Sequence, residues 1–327
     1  MISHRLCQTA LSCAVPIYLC ALLAPQAAPA QTVLNLVPDS SCPVPAGLLT
    51  ISINLSGASV PIVGGQFLLS FDPAVLTLVS IDPGDPPFVT EIHESVDPVL
   101  GLIDYAGGIA PAGHGTAADT TMARAAFLVH PATEACDVAS LVAFRANDPP
   151  TRLIDANDTV YSAALGNVTL NDLPAVSIDA IQPVIVPPPN VAARTSAGSC
   201  AALLDPGLPT VSDNCTPAVD IVVTFVRSDG APLLTDAYNA ADSPVTILWT
   251  AIDACGRQSQ ALSSVTVAVL GDLDGDNIVG LADLSVQLAN FGTTSGARPE
   301  DGDLDGDGDV DLGDLAVMLT AFGADCR

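Results

Sequence analysis

Two segments near the C-terminus, G-D-L-D-G-D-N-I-V-G-L-A-D-L-S-V-Q-L-A-N-F-G from Gly271 and G-D-L-D-G-D-G-D-V-D-L-G-D-L-A-V-M-L-T-A-F-G from Gly302, repeat one pattern at an offset of 31 residues. No other feature constrains the fold as much. Carboxylates this close together repel strongly without a counter-charge. In both copies the acidic stretch is followed by apolar residues near i, i+4, i+7 spacing, the signature of a helix with one apolar stripe. Those residues are Leu284, Leu288 and Phe291 in the first copy and Leu315, Met318, Leu319 and Phe322 in the second, and Gly292 and Gly323 then stop the helices.

A calcium loop places oxygen ligands at positions 1, 3 and 5, a residue that tolerates a sharp turn at 6, a backbone carbonyl at 7 and an acidic side chain at 12. In the first copy these are Asp272, Asp274, Asp276, Asn277, the carbonyl of Ile278, and Asp283. In the second they are Asp303, Asp305, Asp307, Gly308, the carbonyl of Asp309, and Asp314, with Asp311 at position 9. Asn277 replaces the usual glycine, and Asn is among the few residues that enter the left-handed region cheaply. The expected cofactor is Ca2+, two ions, and the ligation is expected to be coupled to folding of the segment.

An ordinary EF-hand pair needs a helix entering each loop, whereas Ser263 to Val269 alternates like a strand and runs straight into Gly271. The duplicated unit therefore resembles a type I dockerin. That resemblance implies docking to a cohesin, with positions 10 and 11 helping to set partner choice. Here those are Leu281-Ala282 and Leu312-Gly313, not the hydroxyl-bearing pair common in the family.

The chain has 327 residues, enough for two or three modules, and it is globular in composition, with 49% hydrophobic residues. It contains no Lys and carries a net charge of −27, so no Lys/Arg cluster neutralises phosphates and binding to nucleic acid or to an anionic membrane surface is disfavoured. Twelve Asp fall between Asp272 and Asp325, which points that acidity at a metal.

Residues 1–30 read as a signal peptide: His4 and Arg5, an apolar stretch through Ile17 to Leu23, and an A-x-A-like exit at Ala30. The mature chain is expected to start at Gln31, secreted or attached to the cell surface, and no later segment is apolar enough to insert in a membrane. Removing the leader leaves Cys42, Cys136, Cys200, Cys215, Cys255 and Cys326, an even number in an oxidising compartment. Six cysteines allow 15 pairings; Cys42 with Cys136 is the natural pair within one module, and Cys215 with Cys255 the second choice.

From Val33 to about Ile181, short runs such as 48–55, 65–71, 75–81 and 123–129 alternate between turn clusters, which reads as a β-sandwich. Phe67, Leu69 and Phe71 share one face, and Asp72-Pro73 then makes a hairpin or a sharp corner. The stretch G-G-Q-F-L-L-S-F-D-P-A-V-L-T-L-V-S-I, residues 64–81, is similar to the early strands of cohesins and their carbohydrate-binding relatives, which implies a jelly-roll-like sandwich. Pro183 and Pro187 to Pro189 read as a stiff spacer.

Beyond it, S-D-N-C at 212–215 and T-A-I-D-A-C-G at 250–256 resemble a hyalin-repeat (HYR) domain, an immunoglobulin-like sandwich. A further Cys expected of such domains is missing where Gln260-Ala261-Leu262 stand, so Cys200 lacks its usual partner and Cys326 becomes an alternative. The expected fold class is mainly β: two β-sandwiches, jelly-roll-like over 31–182 and immunoglobulin-like over 183–270, then a small α-helical dockerin with paired calcium loops over 271–327.

No nucleophile elbow, zinc motif, Walker loop or dinucleotide fingerprint occurs. His93, His114 and His130 lack ligand spacing, and Glu91 with Glu94 is the one weak candidate for an acid–base pair. The chain is expected not to be an enzyme, with no catalytic residues. The leading expectation is an extracellular calcium-binding assembly protein that binds a cohesin-like protein partner. The alternative is a carbohydrate-binding accessory of extracellular polysaccharide degradation, against which stands an aromatic content of only 4%.

Overall fold

Period-two alternation explains most of the chain. In the computed structural model, which describes residues 31–111, 113–145 and 150–327, nearly every apolar alternation becomes a strand with one buried face. The expected leader, 1–30, lies outside the described residues.

The first sandwich is built from β1 (Thr32–Pro38), β2 (Leu48–Ser56), β3 (Ile62–Phe71), β4 (Leu76–Pro83), β5 (Thr90–Asp97), β6 (Leu102–Gly108), β7 (Thr120–Val129), β8 (Ala135–Val138), β9 (Val142–Phe144), β10 (Arg152–Asp155), β11 (Val160–Ser162), β12 (Val168–Asn171) and β13 (Val176–Ile178). One sheet runs β12-β1-β2-β7-β4 and the other β11-β10-β3-β6-β5, with β9 also on β3. Leu34, Ile51, Ile53 and Phe127 from the first sheet meet Phe67, Leu69, Ile103 and Tyr105 from the second in one core. Asp72-Pro73 proves to be a corner and not a hairpin, because β3 and β4 lie in different sheets. The Asp72 side chain accepts from Ala74 N at 2.8 Å and its carbonyl from Leu76 N at 2.9 Å, which turns the chain across the sandwich.

The second sandwich comprises β14 (Val184–Val186), β15 (Val191–Arg194), β16 (Ala201–Ala202), β17 (Thr210–Ser212), β18 (Val222–Arg227), β19 (Tyr238–Asn239), β20 (Val245–Ile252) and β21 (Gln258–Ala268). Its main sheet is β15-β21-β20-β18, with β14-β17 and β16-β19 as small companions. Trp249 lies at its centre, beside Phe225 and with its indole N–H donating to Ser263 Oγ at 2.8 Å. The proline-rich stretch, expected to be a stiff spacer, carries a strand within it: Pro183 leads directly into β14, which pairs with β17, and β15 begins just after Pro189. Proline lacks the ladder donor, so these residues occupy the edges of that pairing.

The repeat follows β21 without a linker and contains α1 (Leu281–Asn290) and α2 (Leu312–Ala321). Val279, Met318, Ala321 and Cys326 join Val245, Trp249 and Val267 in a single core, so the repeat packs on the second sandwich.

The disulfides correct the pairing expected from chain proximity. Cys42 joins Cys255, Cys136 joins Cys215, and Cys200 joins Cys326, the last being the alternative that the missing HYR cysteine suggested. Every bridge connects distant parts of the chain, over 213, 79 and 126 residues respectively. Loops of that length constrain the unfolded chain by about 4 to 5 kcal/mol per bridge taken singly. Peptide mapping without reductant is expected to recover these three pairs; a peptide linking Cys42 to Cys136 would refute the arrangement.

Candidate metal centre

Each acidic loop is folded by its own carboxylates. In the first, Asp272 accepts from Gly275 N at 2.8 Å and Asn277 N at 3.0 Å, and Asp276 accepts from Ile278 N at 2.8 Å. In the second, Asp303 accepts from Gly306 N at 2.7 Å and Gly308 N at 3.1 Å, and Asp307 accepts from Asp309 N at 3.1 Å. Position 6 takes the left-handed conformation in both copies, with φ of 63° at Asn277 and 92° at Gly308, so Asn fills the role as its short polar side chain allows.

The position-12 carboxylates, Asp283 and Asp314, are buried beneath their loops. Asp283 accepts from Leu273 N at 2.7 Å, Asp274 N at 3.2 Å and Gly280 N at 2.7 Å. Asp314 accepts from Leu304 N at 2.7 Å, Asp305 N at 3.2 Å and Asp311 N at 2.8 Å. Both thereby cap the first turn of their helices. The two units also support each other. Val279 at position 8 of one loop bonds Ala324 and Gly323 after α2, while Val310 of the other bonds Gly292 and Thr293 after α1.

Among the expected ligands, Asp272, Asp274 and Asp276 each offer one oxygen, and the three oxygens lie within 4.8 Å of one another; Asp303, Asp305 and Asp314 form a second such group. Asp283 and Asp307 stand outside these groups. Asp309, expected to contribute only its carbonyl, turns its side chain in with Asp311 and Asp314, and its Oδ1 is buried without a partner. Desolvation, reinforced by neighbouring Asp charges, raises the carboxyls of Asp274, Asp305 and Asp309 above the ordinary range. Asp314 goes the other way: burial raises it, but the backbone donors of Asp311, Leu304 and Asp305 outweigh that. An all-oxygen donor set crowded with negative charge fits a hard cation such as Ca2+.

The helices depart from the expected burial. Leu288, Phe291, Leu319 and Phe322 are exposed by 53%, 44%, 60% and 43%, while the buried positions are Asp283 and Gln287 on α1 and Asp314, Met318 and Ala321 on α2. Reaching the position-12 carboxylate into its loop fixes the rotation of each helix and turns the leucine–phenylalanine side outwards. With Leu281 and Leu312, 74% and 71% exposed, this leaves an apolar triplet on each copy, again repeated at the 31-residue offset.

Elsewhere, Glu91 and Glu94 lie exposed on edge strand β5. His130 is tied to Thr77 Oγ1 at 2.9 Å and to the carbonyl of Ala74 at 2.8 Å, a structural role. Among the described residues no helix is long and apolar enough to cross a membrane.

No protein-family model matches the sequence, and comparison with curated proteins finds no match. Solved structures of similar shape include a type II cohesin from Bacteroides cellulosolvens, 14% identical, covering 45% of this chain and 99% of that one, with a TM-score of 0.38. A type II cohesin domain from the cellulosome of Acetivibrio cellulolyticus is 16% identical over 45% of this chain and 95% of that one, at 0.36. A chain of a type I cohesin–dockerin complex from Clostridium thermocellum is 13% identical over 45% and 99%, at 0.34.

Proposed function

We propose that this chain is a secreted, non-catalytic, calcium-binding assembly protein whose C-terminal repeat holds two Ca2+ ions and presents its helices to a cohesin-like protein partner. The observation that carries this reading is the joint repetition of a carboxylate cradle and an exposed apolar triplet at one offset. A linker that merely solubilised the chain would need neither.

In the first loop Asp272, Asp274 and Asp276, the carbonyl of Ile278, and Asp283 would hold one ion. In the second, Asp303, Asp305 and Asp307, the carbonyl of Asp309, and Asp314 would hold the other. Secretion rests on the apolar leader and on three disulfides, which persist in oxidising compartments. The glycan-binding alternative is less well supported, because the rings of Phe67, Phe71, Phe88, Tyr105, Phe127 and Phe144 are all buried and offer no platform to a sugar.

Calorimetric titration of the mature chain is expected to show calcium binding whose stoichiometry falls by two ions when the loop aspartates are replaced. Addition of a cohesin should then give saturable, calcium-dependent binding; no heat from calcium would refute the reading. Leu288→Asp with Leu319→Asp should weaken partner binding at least thirtyfold, about 2 kcal/mol, the scale of one interface hot spot. Calcium stoichiometry should stay unchanged, since both leucines are exposed and neither is among the loop ligands.

A further inference from the structure

Three aspartates outside the repeat meet where the two sandwiches join. Asp179 follows β13, Asp213 follows β17 and Asp253 follows β20. One carboxylate oxygen from each lies within 4.8 Å of the other two. Asp179 and Asp253 are 0% and 5% exposed, so this is an interior cluster and not a solvated acidic surface.

The hydrogen bonding divides each carboxylate into a held oxygen and a free one. Asp179 Oδ1 accepts from Ile181 N at 2.9 Å and Asn214 Nδ2 at 3.4 Å. Asp213 Oδ2 accepts from Cys215 N at 2.9 Å and Thr216 N at 2.8 Å, and Asp253 Oδ1 accepts from Arg257 N at 2.8 Å. The remaining oxygens, Asp179 Oδ2, Asp213 Oδ1 and Asp253 Oδ2, are all buried without a partner. Three unpartnered carboxylate oxygens in one interior place cannot be satisfied by a single water, which has two hydrogens to donate.

The nearby guanidinium does not neutralise them. Arg257 donates through Nη2 and Nε to the backbone carbonyl of Asp179, at 2.7 and 3.2 Å. Among the described residues no Arg pairs with any of the three carboxylates. Nor can the cluster relax by separating. Cys215, two residues after Asp213, is bonded to Cys136, and Cys255, two residues after Asp253, is bonded to Cys42. Both bridges anchor the second sandwich's turns to the first sandwich, from whose end Asp179 comes.

We propose that Asp179, Asp213 and Asp253 form a third cation site, for Ca2+, that cements the two sandwiches. The donor set is purely oxygen, which selects a hard cation. Three carboxylate oxygens within 4.8 Å of one another can share one ion, and we assign Ca2+ because it accepts carboxylates in flexible geometry, whereas magnesium demands near-ideal octahedral coordination and keeps most of its waters. The carboxylates supply three of the six to eight ligands that calcium takes. The S-D-N-C and T-A-I-D-A-C-G segments thereby acquire a shared chemical purpose: each sets an aspartate two residues ahead of an inter-module disulfide.

The test is a calcium count by native mass spectrometry on the disulfide-intact chain, stripped with chelator and reloaded. The unmutated chain should bind three ions, and Asp179→Asn with Asp253→Asn should bind two. A variant with all four of Asp274, Asp276, Asp305 and Asp307 changed to Asn should keep one. Two ions in the unmutated chain and none in that loop variant would overturn this site while leaving the dockerin-like loops intact. One ion in the unmutated chain, lost in the Asp179→Asn/Asp253→Asn variant, would support this site and refute the loops. The unmutated count does not depend on any variant folding. Retention of Mg2+ in preference to Ca2+ by the loop variant would overturn the assignment of the ion.

Discussion

Asp314→Ala is expected to remove calcium from the second loop and to destabilise the repeat even when calcium is absent. The carboxylate accepts from three backbone N–H groups and sits wholly buried, so truncation strands donors in a place water does not reach. It also deletes the capping-box acid of α2, a loss of about 1 kcal/mol by itself. Together these should cost about 3 kcal/mol. Asp307→Ala is the matched control: it stands outside the oxygen group and is exposed, so it should weaken calcium binding with little effect on the apo fold. Calcium calorimetry and circular dichroism, each with and without chelator, read the two effects separately. Chelation of the unmutated chain should melt α1 before α2, because Met318, Ala321 and the Cys200–Cys326 bridge hold α2 to the second sandwich. Equal helicity with and without calcium would show that the carboxylates tolerate one another unliganded.

Local patterns carried the legible part of this protein. The alternation of Phe67, Leu69 and Phe71 is a feature of neighbouring residues and takes the form its spacing implies, as does the left-handed turn at position 6 of each loop. The outward turn of Leu288 and Phe291 was not legible from apolar spacing alone, because a single carboxylate reaching into its loop outweighs the stripe in setting helix rotation. The disulfides failed for a different reason. Pairing Cys42 with Cys136 assumes that a module closes on itself, whereas the turn after β20 lies against the first sandwich and captures Cys42. The Asp179, Asp213 and Asp253 cluster was invisible for the same cause: its members belong to three separate strand ends, and only the packing of one sandwich on the other brings them together.

The second sandwich has one further charged device, and its loss should destabilise the chain strongly. Arg227, 2% exposed at the end of β18, lies 3.7 Å over the ring of Tyr238. Its Nε donates to Asp229 Oδ1 at 2.9 Å and its Nη2 to Asp229 Oδ2, while Nη1 reaches the carbonyls of Leu233 at 2.8 Å and Asp236 at 3.0 Å. The guanidinium thus closes the whole 229–238 excursion. Arg227→Met keeps most of the volume but leaves Asp229 buried and unpaired, which costs about 3 to 5 kcal/mol, or a fall in Tm of roughly 10 °C in a chain of this size. The pH dependence identifies the cause. Burial pushes the Asp229 carboxyl up, but the hydrogen bond and charge of Arg227 outweigh it and hold it below its ordinary value. A depressed folded pKa gives stability that is present above the unfolded value, near 3.9, and is lost as pH falls through the folded one. In Arg227→Met the upward push of burial is opposed only by the backbone donors, chiefly Ala231 N, so Asp229 can shed much of its penalty by taking a proton. The gap between the two proteins in thermal melts should therefore be full at pH 7 and narrow towards pH 3. A gap that did not change with pH would assign the loss to packing over Tyr238 and not to the ion pair.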